Sequence, residues 1–282
     1  MGWAAFAGCF KLTEVILPST VTTLGSNCFQ YCYNLTSINL DNVTTLGSSC
    51  FQYCSNLTSV NLPNAITLGT SCFQYCSNLT SVNLDNVTAI GDNAFSYDAN
   101  LTTVTLNGSL STLGVACFSS CSSLTSINLD NITTIGSNCF NYCTNLSSVN
   151  IENASQLYPS AFSNCSSLTI VTLNTTLPSI PANGFRSTGI SSIEIPSSVT
   201  LIGSSAFYNT PLGTFTFYDT NTVTVSTNAL PLTMSSIYYR GSPGKTASDL
   251  ETEYLSRYGS VNALKPSANK TIYYVPYEDW NV

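Results

Sequence analysis

Twelve cysteines are the residues of this 282-residue chain best suited to chemistry, and they fall into two columns. Cys28, Cys50, Cys72, Cys117 and Cys139 each stand just before a phenylalanine. Cys9, Cys32, Cys54, Cys76, Cys121, Cys143 and Cys165 each follow one at the third position. Thiolates of two adjacent copies, for example Cys28, Cys32, Cys50 and Cys54, are the donors a zinc site would use. The C-x3-C spacing instead puts both thiols on one helical face turned to a core. Ala5, Ala94, Ala161 and Ala206 also take the first-column slot elsewhere. A thiol interchangeable with alanine serves for its size, as buried free cysteine does, so no metal site is expected. Cross-repeat disulfides stay open, because Cα atoms stacked about 5 Å apart lie within bridging range. The redox compartment stays open with them.

Other chemistries lack their parts. No histidine is present, which removes the commonest general base and metal ligand, so the many serines have nothing of that kind to activate them. Gly241-Ser-Pro-Gly244-Lys245-Thr246 misses the leading glycine of a phosphate loop, with Tyr239 in its place. Asp41, Asp85, Asp130 and Glu152 sit just past a strand, where Asp-Asn is also turn chemistry. Only Asp130 and Glu152 fall in neighbouring copies, which speaks against calcium. Neither a catalytic residue nor a cofactor is expected. No basic side chain occurs from Leu12 to Phe185, and such a surface cannot neutralise phosphates, which excludes nucleic acid. With 43% apolar and 7% charged residues and a net charge of −7, the chain is no disordered tail.

The element that positions all these residues is a repeat. Phe6, Phe29, Phe51, Phe73, Phe95, Phe118, Phe140, Phe162, Phe185 and Phe207 follow one another at intervals of 22 or 23, which only a repeat architecture explains. In Leu57-Thr-Ser-Val60-Asn-Leu62 alternation sends Val60 and Leu62 inward and Ser59 and Asn61 outward, as in a strand. Gly25, Gly47, Gly69, Gly91, Gly114, Gly136 and Gly203 then mark a sharp turn before a helix N-cap such as Ser48 or Ser137. Ser49-Cys50-Phe51-Gln52-Tyr53-Cys54 reads as a short helix. One unit cannot bury its apolar side alone, so the copies must stack and pair their strands in parallel.

Two surface columns follow from that register. On the strand face, Asn39, Asn61, Asn83, Asn128 and Asn150 run beside Ser37, Ser59, Ser81, Ser126 and Ser148, with Asp41, Asp85 and Asp130 at the strand ends. Stacked amides can bond up such a column. Equally, the column offers a protein or glycan a surface of closely spaced small polar groups. Tyr31, Tyr53, Tyr75, Tyr97 and Tyr142 form an aromatic stripe at the helix flank, an interface candidate or a packing device. Thirteen Asn-x-Ser/Thr triplets, Asn34 and Asn56 among them, arise by copying as readily as by selection for glycosylation.

The joint pattern of Leu-Thr-Ser-Ile/Val-x-Leu, Ile/Leu-Gly and Phe-x-x-Cys-x-x-Leu over about residues 5 to 217 resembles the BspA-like leucine-rich repeats. The fold expected is an α/β repeat solenoid: a curved, right-handed array with parallel strands on the concave face and short helices on the convex face. The resemblance implies a surface-exposed, non-enzymatic adhesion or binding scaffold that meets a protein or glycan outside the cell. The competing expectation is a self-assembling spacer, joined through an uncapped first repeat near Phe6 or through the tyrosines. Residues 1–217 are read as the repeat solenoid, and residues 218–282 as a C-terminal capping region. In that region Ser248-Asp-Leu-Glu251 opens a helix with Leu250, Tyr254 and Tyr258 on one face and Gly259 as its stop, and Ile272–Pro276 forms a last strand. The apolar start, Met1 to Phe10, has no basic n-region and reads as mid-repeat rather than as a signal peptide, and no run is long enough for membrane insertion.

Overall fold

The computed structural model describes residues 1–218, 223–231, 234, 236–258 and 271–275. The chain winds as a parallel-strand β-solenoid of about ten turns. One ladder runs from Glu14–Val15 and Ser37–Ile38 through Ser59–Val60, Ser81–Leu84 and Thr103–Leu106. It resumes with Ser148–Ile151 and Ile170–Leu173, and ends in Ser192–Glu194, Thr214–Tyr218, Ser236–Arg240 and Thr271–Val275. A second ladder holds the residues before the glycines, from Thr23–Leu24 and Thr45–Leu46 to Leu201–Ile202 and Thr224–Val225. Register is one coil per step: Ser59 faces Ser81, Val60 faces Val82, and Thr67 faces Ala89.

The expected alternation holds, with Val60 and Leu62 buried and Ser59 and Asn61 exposed. Behind both ladders the phenylalanines form one column. Phe29 to Phe207 are fully buried. Successive rings from Phe6 onward lie 5.2–5.7 Å apart and within 11° of parallel. Such offset stacks are favourable for the ring quadrupole, and they hold each inner coil against the two beside it.

The short helices expected on the third side do not form. Ser49–Cys54 and its counterparts are turns, and the one α-helix among the described residues is Ala247–Tyr258. The cause lies in the backbone. Ser49 and Tyr53 take left-handed φ of 54° and 65°, and the same pair of positions does so in coil after coil, as at Ser71 and Tyr75. A left-handed residue breaks a right-handed helix, at a cost of about 1–2 kcal/mol each. In return the N–H groups of Ser49, Phe51 and Tyr53 point out of their own coil. They donate to the carbonyls of Thr70, Cys72 and Gln74 in the next coil at 2.8–2.9 Å. Intrahelical i−4 bonds would have consumed those donors, so the coils stay linked on this side too.

The glycines are also used differently from the expectation. Gly47, Gly69 and Gly91 do not have left-handed φ, but a Cβ on each would meet the preceding coil's backbone within 2.5 Å. They are required by close approach between coils, not by a turn.

Near the C-terminus the helix opens on Thr246 and Asp249 rather than Ser248 and Glu251. Thr246 N–H donates to Asp249 Oδ2 at 2.9 Å, and Asp249 N–H donates to Thr246 Oγ1 at 3.3 Å, a reciprocal cap. Leu250 is buried beside Gly241. Thr271–Val275 pairs with Ser236–Arg240 in parallel. Gly259, Pro276 and the side chains of Tyr254 and Tyr258 lie outside the described residues.

Candidate functional site

The cysteines, the strongest chemical candidates by type, are placed for packing. All twelve are free thiols, and all but Cys9 are buried. Second-column thiols share one role: Cys54, Cys76, Cys121 and Cys143 each donate Sγ–H, at 3.1–3.2 Å, to the carbonyl of the phenylalanine one coil back. Burial pushes the thiols up, to about 11 at Cys32 and about 12 at Cys165, and well above the ordinary range at Cys50 and Cys117. A thiol held protonated is a poor nucleophile and a poor metal ligand. Among the described residues no three His, Cys, Asp or Glu side chains group as metal donors.

Asp98 interrupts the second cysteine column. It is fully buried; Oδ1 accepts the Cys76 N–H at 2.8 Å, while Oδ2 has no partner. Burial raises its pKa well above the carboxylate range.

On the first ladder the predicted column stands outward. Ser37, Ser59, Asn61, Ser81, Asn83, Ser126 and Asn128 are exposed, as are Asp41, Asp85 and Asp130, while Asn39 and Asn150 are half-buried. The amides do not bond up this column. Asn83, Asn128 and Asn150 instead accept the N–H two residues on, from Asp85, Asp130 and Glu152. That is the Asx turn such residues favour, and it ends the strand. Asn39 pairs with the backbone of Leu17, and Asn61 donates to Asp41 Oδ1 at 3.2 Å. A true amide ladder forms elsewhere, through Gln30, Gln52 and Gln74 at 2.5 Å per step.

The same face carries a groove that the repeat pattern did not single out. Val171, Thr172, Leu173, Thr175, Glu194, Pro196, Ser197 and Tyr218 line an open space of about 420 Å³. Glu194 is the residue that recruits charge to it. It stands in the asparagine column, accepts a hydrogen bond from Tyr218 Oη, and lies 3.7 Å from Arg240. Ile170, 64% exposed, occupies the neighbouring serine column. The signal in the sequence was a carboxylate at Glu194, in a column that holds asparagine or threonine in the copies before it, at Asn128, Asn150 and Thr172. The groove thus combines apolar walls, a carboxylate, a phenol and hydroxyls.

The tyrosine stripe is real but partly closed. Tyr31, Tyr53, Tyr75 and Tyr97 stack at 5.0, 4.5 and 4.5 Å, so the inner rings have both faces covered. Tyr142 stands apart, 52% exposed.

Among solved structures, a leucine-rich repeat protein from Bacteroides ovatus matches at 24% identity, over 98% of this chain and 87% of its own, with a TM-score of 0.45. A leucine rich cell surface protein from Faecalibacterium prausnitzii matches at 23% identity, over 89% and 84%, with a TM-score of 0.45. The T. pallidum leucine rich repeat protein matches at 28% identity, over 52% and 70%, with a TM-score of 0.49. No curated protein sequence matches. The family described as the BspA type leucine rich repeat region matches residues 1–102, 67–166 and 116–231. Those stretches leave only the last part of the chain unmatched and contain every Phe of the column, the second ladder, all but the last two strands of the first, and the groove: the chain belongs to the BspA-type leucine-rich repeat family.

Proposed function

We propose that this protein is a non-enzymatic binding scaffold, presented at a cell surface, that recognises a protein or glycan through the outward face of its first ladder. The observation that carries this reading is the groove at Thr172, Glu194 and Tyr218, which continues the outward serine and asparagine columns and joins apolar to hydrogen-bonding groups on one face of the solenoid. Family membership supports recognition over catalysis. Residues 1–217 act as the recognition array, and residues 218–282 close its end. With so few charges, binding depends weakly on salt.

The test is a glycan and extracellular-matrix binding array with the whole chain, repeated with Thr172→Trp, which fills the groove, and Asn61→Trp, which crowds the column. Saturable hits lost in either variant support the reading. Hits unchanged in both variants, or no hits at all, overturn it. A second reading, self-association, is favoured by Trp3, Phe10 and Ile16, large apolar side chains that are 76%, 57% and 79% exposed. Light scattering that shows mass rising with concentration, and lost in Trp3→Ser, would establish it.

A further inference from the structure

The tyrosine stack has a missing member. The residue two places after the buried phenylalanine is Tyr31, Tyr53, Tyr75 and Tyr97 in four successive coils, then Ser120, then Tyr142. The backbone keeps step across the change. Tyr97 N–H donates to Ser119 O at 2.8 Å, Ser120 N–H to Asn141 O at 2.7 Å, and Tyr142 N–H to Ser163 O at 3.0 Å. All three residues share the same left-handed conformation, with φ of 67°, 63° and 61°. Behind them Phe95, Phe118 and Phe140 stack without a break at 5.5 and 5.7 Å.

Tyr97 and Tyr142 therefore stand two coils apart, as Tyr53 and Tyr97 do. Between Tyr53 and Tyr97 the space is filled by Tyr75, 4.5 Å from each neighbour with ring planes 3° and 5° apart. Between Tyr97 and Tyr142 the side chain is a serine, so a space one aromatic ring thick opens to solvent above it. The two wall rings are 45% and 52% exposed, whereas Tyr75 is half-buried. Elsewhere the column ends against Gly8 and Asn164 with a ring on one side only.

We propose that this slot binds a tyrosine side chain presented by a partner protein, its ring entering between Tyr97 and Tyr142 and its phenol hydroxyl meeting Ser120 Oγ. Tyr75 shows what fits: a flat ring, parallel to both walls. A pyranose chair is thicker than an aromatic ring and would force the walls apart. A phenylalanine would stack equally but bring nothing to the serine hydroxyl, which both donates and accepts. The slot lies on the turn side, away from the ladder groove, so this inference stands apart from the sheet-face reading.

The experiment titrates the whole chain with N-acetyl-L-tyrosinamide, N-acetyl-L-phenylalaninamide and methyl β-D-glucopyranoside, read by saturation-transfer NMR. The tyrosine probe should saturate, bind more tightly than the phenylalanine probe, and outcompete the glucoside. Ser120→Tyr restores the residue its neighbours carry, fills the slot, and should weaken the tyrosine probe by about tenfold or more with an unchanged thermal melt. Ser120→Ala should keep ring binding but erase the preference for tyrosine over phenylalanine. Thr172→Trp, which blocks the ladder groove, should change none of this, so the two readings fail separately. No saturable binding to the unaltered chain, equal binding after Ser120→Tyr, or a preference for the glucoside would each overturn the proposal.

Discussion

Gly69 lies so close to Ser48 that a Cβ built on it would sit 2.4 Å from the Ser48 backbone nitrogen. The contact recurs at Gly47 and Gly91, each against the coil before it. Backbone cannot yield as a flexible side-chain tip can, so the two coils must separate to admit a methyl group. Gly69→Ala should therefore destabilise by about 1–3 kcal/mol or more, the cost of overpacking. Gly108, whose Cβ would meet nothing nearer than Asn131 Nδ2 at 3.7 Å, is the control: Gly108→Ala should leave the urea midpoint nearly unmoved. Equal shifts for the two variants would show that helix-like turn chemistry, not approach, selects glycine in the column.

Asp98 occupies a slot that holds cysteine in seven other coils, and its Oδ2 is buried without a partner. Cys76 N–H, which it receives, also donates to Phe73 O at 3.0 Å. Asp98→Cys thus removes an unsatisfied polar atom and leaves the amide bonded. It should raise stability at pH 7 by about 1–3 kcal/mol. Because the folded pKa is raised, the stability linked to this proton is fully present below the unfolded value of about 3.9 and is lost as the pH rises. The gain from Asp98→Cys should accordingly shrink at pH 3, and denaturation curves at both pH values measure it.

The repeat made most of the fold legible, for a physical reason: Val60, Leu62 and Phe51 sit at fixed distances along a unit that is stacked many times, so one correct inward position is correct everywhere. The turn side was misread because Cys50, Phe51 and Cys54 carry a helical spacing that a chain with left-handed residues four apart, at Ser49 and Tyr53, also satisfies. Tyr53 gave no warning, since bulky residues seldom adopt positive φ; its inter-coil hydrogen bond pays for that conformation. The outward columns were legible as exposed positions, yet Asn83 and Asn128 looked like a ladder and are turn caps, because one residue type serves both uses. The groove at Glu194 escaped because it belongs to copies that depart from the consensus, where periodicity has least to say.

Alkaline pH should unfold the chain. Eleven thiols are buried, with folded pKa values raised by burial, as at Cys32 and Cys165. The sign follows directly: the native state keeps protons that the unfolded state releases above about 8.5. Stability is fully present below that pH and falls as the pH rises toward the folded values, about 11 at Cys32 and about 12 at Cys165. Each such thiol steepens the fall by about 1.4 kcal/mol per pH unit. Cys72→Ala, which places in one coil what Ala94 provides in another, should flatten the slope by about that amount. Urea midpoints at pH 7, 9 and 10 decide it, and a slope unchanged by Cys72→Ala would mean that this thiol ionises freely in the folded chain.

Phe73 is stacked between Phe51 at 5.3 Å and Phe95 at 5.5 Å, whereas Phe6 has a ring on one side only and is partly buried. In a one-dimensional array the interface between neighbours carries the cooperativity, so the position of a lost ring matters as much as its size. Phe73→Ala opens a cavity in the middle of the column and should cost about 3–5 kcal/mol. It also weakens both interfaces of one coil, so the single unfolding transition should split or broaden. Phe6→Ala removes one interface at the end of the stack and should cost less while leaving the transition sharp. Calorimetry on both variants separates the two effects: a Phe6→Ala loss as large and as broad as that of Phe73→Ala would mean that stability is not passed from coil to coil through the rings.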